Sequence, residues 1–255
     1  MNTTALTTDR PNRLPGALYG VGCYVFFLVT FLYAVGFVAD LIVPKTINGP
    51  ATGVGTGVAL LVNGLLMSIF ALQHSVMARP AFKRWWTRYV PQSVERQTYV
   101  LATNVALWLL FAFWQPMPGV VWSVENPIGF WLLTGIGAVG WLTVLCATFM
   151  INHFDLFGLR QTWYHWKNQP TPALHFHERL LYRWVRHPIQ MGFLIAFWGT
   201  AHMTVGHLLF AAACTAYIVV ALQLEERDLV AQWGARYEEY RGRVRMLVPI
   251  RKNRR

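Results

Sequence analysis

The chain has 255 residues, of which 55% are hydrophobic and only 13% charged, about half the charged share of an ordinary soluble domain. Long uncharged runs recur at the length that crosses a bilayer core and do not alternate as barrel strands would, so the fold class is an all-α polytopic membrane protein. The net charge of +11 would suit nucleic acid in a soluble protein, but here the basic residues lie between and after the apolar runs. That placement serves topology and anionic headgroups, and it excludes nucleic acid as a partner.

The first 16 residues are polar and carry Arg10 and Arg13. The run that follows, from about Ala17 to Val43, has no small-residue cleavage site and precedes further spans, so it reads as a retained first helix, not a signal peptide. A second span runs from about Val54 to Met77. It leads into a loop holding Arg79, Lys83, Arg84, Arg88 and Arg96 among Trp85, Trp86 and Tyr89, a mixture suited to the headgroup region. A third span covers about Tyr99 to Trp114, stopped by Pro116 and Pro118, and a fourth covers about Ile128 to Ile151. Residues 1–151 are thus expected to form a four-span bundle, joined in one integrated domain to a module over residues 152–255.

That module opens with a polar segment, Asn152 to His187, and continues with an apolar stretch from Ile189 to Leu224 that is interrupted at Thr200–Gly206. Charge decides whether the stretch crosses once or turns back. If it turns back, 21 of the 22 Lys and Arg residues share one side, with Lys45 the exception. A helical hairpin is therefore expected, with a first arm of roughly 20 Å at 1.5 Å per residue. After Leu224, the residues Leu229, Val230, Trp233, Tyr237 and Tyr240 recur at helical spacing against Arg and Glu. They predict an amphipathic helix lying along the cytoplasmic surface.

Several motifs compete for a function. Gly135-x-Gly-x-x-Gly140 matches a dinucleotide-binding pattern, but it sits inside a span without the required strand, so close helix packing is expected. His175-x-His177, with His165 and His187, lacks the ligand clusters of a membrane metalloenzyme; an interfacial loop and no metal are expected. Cys23, Cys146 and Cys214 lie in three different apolar runs, so neither a disulfide nor a thiolate site is indicated. His202 and His207 fall at the hairpin tip and read as structural.

Gln73-His74-Ser75 ends the second span with three polar residues at membrane depth, either a functional group or an interfacial cap. Asn152-His153-Phe154-Asp155, continuing to Gln161, either lines a pocket or anchors the loop. Arg186-His187-Pro188 and Glu225-Glu226 stand at the bases of the two hairpin arms, where antiparallel packing brings cation, anion and imidazole together beside aromatic residues.

These last residues carry a resemblance. Arg186-His187-Pro188-Ile189-Gln190-Met191-Gly192 resembles the RHPxYxG motif of isoprenylcysteine carboxyl methyltransferases and phospholipid methyltransferases. Glu225-Glu226-Arg227-Asp228-Leu229, with Trp233-Gly234, Tyr237, Tyr240, Val244 and Pro249, resembles their closing pattern. Gln190 stands where that motif has tyrosine, which points away from their usual acceptors. Nearly the whole chain beyond the first 15 residues is similar to a narrower group, the nurim-like membrane proteins that include bacterial methanethiol S-methyltransferases. This likeness rests on Gln73-His74-Ser75, Ala78-Arg79-Pro80, Glu95 to Val100, Phe154 to Gln161, Gln190 to Phe193 and Met203 to Phe210.

The resemblance implies methyl transfer from S-adenosylmethionine to a small volatile thiol, methanethiol, giving dimethyl sulfide. The enzyme would be integral to the bacterial inner membrane, with its site and both termini facing the cytoplasm. Arg186, His187, Pro188, Gln190, Gly192, Glu225, Glu226, Tyr237 and Tyr240 are implied as cofactor-binding, with Arg186 expected to grip the cofactor carboxylate in a bidentate pairing. His74, His153 and Asp155 are the candidates for deprotonating or positioning the acceptor. An isoprenylated or lipid acceptor, and a non-enzymatic membrane scaffold, are the competing readings.

Overall fold

The computed structural model describes residues 13–250 apart from 174, 175 and 177. The His175-x-His177 reading therefore lies outside the described residues. In chain order the elements are α1 (Leu14–Ala39), α2 (Thr56–Ala78), α3 (Pro80–Trp86), α4 (Gln92–Phe113), β1 (Val120–Ser123), α5 (Pro127–Ile151), α6 (His153–Leu156) and α7 (Leu159–Trp166). A 3₁₀ turn (Leu180–Arg183) follows, then α8 (Pro188–Trp198), β2 (His202–Thr204), α9 (Val205–Trp233) and α10 (Ala235–Arg243).

Helices α1, α2, α5 and α9 are long and apolar enough to cross a membrane. The third expected span is found as α4, but it starts seven residues earlier than Tyr99 because the helix-forming stretch Gln92–Thr98 continues it into the polar region. α4 packs along both α1 and α2. Local sequence explains the helix starts. Asn126 caps α5 by accepting from the amides of Ile128 and Gly129, with Pro127 in the first turn. Thr204 caps α9 by accepting from His207 N, and Pro188 opens α8.

The expected hairpin is present. α8 has only 11 residues, ends at Gly199, and hands the chain to β2, which pairs antiparallel with β1 through Val120↔Thr204 and Ser123↔His202. At this end His207 Nε2 lies 2.9 Å from the carbonyl of Phe197, and His202 Nδ1 is 3.4 Å from Ser123 Oγ, so both histidines serve the turn. The core gathers nearby, around Phe37, Ile47, Leu110, Trp114, Phe210 and Ala211.

The most extensive helix–helix contact joins α5 to α8, and small residues make it possible. A Cβ added at Gly192 would stand 2.8 Å from Gly140 O and 2.8 Å from Val144 N. Gly137 and Gly140 meet α8 in the same way, whereas a Cβ at Gly135 would meet nothing. The glycine pattern is a packing seam. Gly192, expected among the cofactor ligands, is part of this seam: its open side is filled by α5, not turned to a cavity.

The amphipathic tail requires a correction. No new helix starts at Leu224; the separate tail helix starts only at Ala235. Glu225 to Trp233 contains no helix-breaking residue, so α9 continues without interruption through both glutamates. Gly234 ends it at φ 55° and ψ −135°, a conformation that a Cβ disfavours, and the nine-residue α10 follows. Phe176, Leu229, Val230 and Trp233 then pack on Tyr237, Tyr240 and Val244 to form a second, smaller core.

Candidate active site

The Arg186-His187-Pro188 segment enters α8 alongside the chain that leaves α10. Val185 bridges Arg245 in parallel; Arg186 N donates to Arg245 O (2.9 Å) and His187 N to Met246 O (3.1 Å). This backbone clamp fixes the side chains above it. Arg186 Nε lies 2.5 Å from Glu226 Oε1, and the same oxygen accepts from His187 Nε2 at 3.1 Å and from the Tyr237 phenol at 3.4 Å. Arg186 Nη1 donates to the carbonyls of Val244 (2.5 Å) and Arg241 (3.3 Å) at the C-terminal end of α10, where a cation is favoured.

Arg186 and Glu226 are only 7% and 6% exposed. Their charges are tolerable because each has several partners. The nitrogens of Arg186 that are seen to donate are spent on protein atoms, so it is not poised for a bidentate grip on a cofactor carboxylate. It builds the site by locking Glu226 and the chain after α10 together.

Glu225 differs. Its side chain is 44% exposed, and its Oε2 is 4.0 Å from His187 Nδ1. Burial first, then acidic neighbours, pushes the phenols of Tyr237 and Tyr240 well above the usual tyrosine range, so both remain proton donors. Tyr240 donates to Tyr182 O at 2.5 Å. Pro188 is buried at the first turn of α8, and Gln190 is half-buried in the same turn.

The acceptor candidates divide. His74 is half-buried at the end of α2; the Tyr99 phenol lies 3.0 Å from its ring nitrogens and Thr103 Oγ1 3.3 Å from Nδ1. Arg96 covers the Tyr99 ring at 5.4 Å. Two further contacts tie α2 to α9: Ser75 Oγ to the Tyr217 phenol at 3.1 Å, and Arg79 Nη1 to Asp228 Oδ2 at 2.8 Å. His74 therefore lies on a helix tied to α9, which also carries Glu225.

His153 and Asp155 do not. His153 is 3% exposed, stacks on Phe149 at 4.1 Å, and has both ring nitrogens engaged, with the Tyr24 phenol and with Thr148 Oγ1, each at 2.8 Å. Burial holds its imidazole below the ordinary histidine range. Asp155 Oδ1 pairs with Arg160 (3.3 Å) and Gln161 (3.2 Å) inside its own loop. These contacts anchor the loop, one of the two roles expected of this segment. Arg96 Nε donates to Leu156 O, and the Gln97 side chain to Gly158 O, tying the same loop to α4.

Tyr99, Arg96, Tyr217 and the Arg79–Asp228 pair were not singled out from sequence as site residues. The available signal was the placement of Tyr99 and Thr103 four residues apart on one face of α4, opposite a histidine at membrane depth. Among the described residues no group of three or more His, Cys, Asp or Glu could hold a metal, and Cys23, Cys146 and Cys214 are free thiols.

No family model matches the chain, and no solved structure matches it. Among curated proteins it is 55% identical to a methanethiol S-methyltransferase of Mycobacterium tuberculosis, over 91% of this chain and 95% of that one. It is 54% identical to methanethiol S-methyltransferase 2 of Bradyrhizobium diazoefficiens, over 93% and 91%. Nurim of Sus scrofa is more distant, 32% identical over 65% of this chain and 66% of its own. Identity at the first two levels along nearly the full length of both partners is a family relationship, and the chain belongs to the methanethiol S-methyltransferases.

Proposed function

We propose that the protein is an integral membrane methyltransferase that converts methanethiol to dimethyl sulfide, with S-adenosylmethionine as methyl donor and the site open to the cytoplasm of a bacterial inner membrane. The activity is supported by the family to which the chain belongs. The cytoplasmic side is supported by the basic residues, which gather at the end of the bundle that holds Arg79, Arg96 and Arg186.

The observation that carries the reading is the contrast between two adjacent carboxylates. Glu226 is consumed by Arg186, His187 and Tyr237, whereas Glu225 keeps an accessible carboxylate beside His187. An accessible carboxylate, an imidazole and a phenol held protonated fit a donor that carries an ammonium group, ribose hydroxyls and a cationic sulfonium. S-adenosylmethionine, when bound, supplies a methyl group already activated for displacement. The protein's task is then to position the partners and exclude water. Glu225 takes a cationic or hydroxyl group of the donor. His187 is oriented by Glu226, and the buried Tyr237 phenol holds the same carboxylate. Arg186 keeps these three in register. A small apolar thiol reaches the site through the bilayer.

The test is a headspace assay on purified protein given methyl-labelled S-adenosylmethionine and methanethiol. Labelled dimethyl sulfide is expected. Labelled lipid without volatile sulfide would replace this reading with the lipid-acceptor one, and no cofactor binding at all would leave a scaffold.

A further inference from the structure

The proposed reaction needs a thiolate, and thiols are mostly protonated at neutral pH. We propose that the Tyr99 phenol is the catalytic group that receives the acceptor's proton, with His74 behind it as the relay; this rests on the methyltransferase reading above.

The hydrogen bonds set the direction of the relay. Thr103 Oγ1 donates back to the carbonyl of Tyr99 at 3.0 Å. Its lone pairs can then only accept from His74, which places the imidazole proton on Nδ1, 3.3 Å away. With Nδ1 protonated, Nε2 is left as the acceptor; the Tyr99 oxygen lies 3.0 Å from each ring nitrogen and 3.4 Å from the His74 carbonyl. The Tyr99 oxygen keeps its lone pairs for an incoming S–H.

The surroundings suit that task. Arg96 lies over the Tyr99 ring, 5.4 Å from its centroid, so a thiolate forming here has a cation beside it. Phe70 stacks on His74 with ring centroids 5.4 Å apart, giving the pair an apolar wall suited to a methyl-sized group. Ser75 Oγ lies 3.1 Å from the Tyr217 phenol, which ties the helix that carries His74 to α9, the helix that also carries Glu225. The titratable and charged groups facing the pair are therefore Arg79 from α2, Arg96 from α4, and Tyr217 and Glu225 from α9.

The step balances. The thiol proton passes to the Tyr99 oxygen as the phenol proton passes to His74 Nε2. The sulfur lone pair then forms the new carbon–sulfur bond, and the old carbon–sulfonium pair leaves with the neutral thioether product. His74 then returns its proton to water.

Two thiols separate proton removal from mere architecture: methanethiol, and a fluorinated ethanethiol whose thiol is largely ionised at the assay pH. Tyr99→Phe should lower kcat for methanethiol by about 10²-fold, the lower end of general-base contributions. It should leave the S-adenosylmethionine Kd within about twofold and retain most of the wild-type rate with the acidic thiol. His74→Gln should behave in the same way, its acidic-thiol rate being the readout that a structural role would not spare. Equal loss on both thiols, or no loss on methanethiol, overturns the inference while leaving the reaction standing. A wild-type protein that methylates neither thiol overturns both.

Discussion

Arg186 Nε and Glu226 Oε1 stand 2.5 Å apart with neither side chain more than 7% exposed, and the same guanidinium holds the carbonyls of Arg241 and Val244. The contact is therefore a joint between three parts of the chain: the entry to α8, the C-terminal part of α9, and the exit from α10.

Breaking that joint should be a stability event first. Arg186→Met strands Glu226 in a buried position, for which a loss of about 3–5 kcal/mol is expected. Thermal unfolding in detergent should show a large drop in Tm for Arg186→Met and for Glu226→Leu. A variant of either kind with unchanged Tm would remove the structural role assigned here.

Glu225 should behave in the opposite way. Glu225→Gln removes an accessible charge and leaves the joint intact, so Tm should stay near the wild-type value. The Kd for S-adenosylmethionine should rise about tenfold, the cost of one charge-assisted hydrogen bond. Equilibrium dialysis with labelled cofactor measures this, and an unchanged Kd would take Glu225 out of the donor site.

The α5–α8 seam predicts a contrast within one glycine motif. Gly140→Val and Gly192→Val insert methyl groups against backbone and should cost about 1–3 kcal/mol or more, because the helices must separate. Gly135→Val meets open space and should be tolerated. Comparing detergent-solubilised yield and Tm of the three variants checks the assignment.

His153 gives the fold an acid sensitivity. Its folded pKa lies below the ordinary value of 6.5 because burial disfavours the charged ring. Above 6.5 both the folded and the unfolded forms are neutral and the group contributes no pH slope. As pH falls below 6.5 the unfolded chain takes up the proton first, so stability declines. Tm should fall between pH 7.5 and 5.5, and His153→Gln should flatten that slope while retaining methyl transfer.

Much of this architecture is written in charge and apolar length. The hairpin follows from the sidedness of Lys and Arg, and its antiparallel arms place Arg186 and His187 against Glu226. Sequence cannot separate Glu225 from Glu226, because neighbours on a helix point about 100° apart and only packing decides which is buried. It cannot reveal that Arg186 is satisfied by the carbonyls of Arg241 and Val244, since every residue has a carbonyl. The pairing of His74 with Tyr99 depends on the register of α2 against α4. Nor can sequence show that His153 pairs with Tyr24 and Thr148, or Asp155 with Arg160, since those partners come from other turns and helices.

The clamp beneath Arg186 also sets an order of events during biosynthesis. Every long apolar helix has been made once the ribosome passes Trp233, yet Arg186 still lacks the carbonyls of Arg241 and Val244, and His187 N lacks Met246 O. A nascent chain stopped there would have all its membrane-crossing segments and an unpaired pocket of charge at the lip. The joint around Arg186 closes last, after insertion is complete, when α10 folds back onto it.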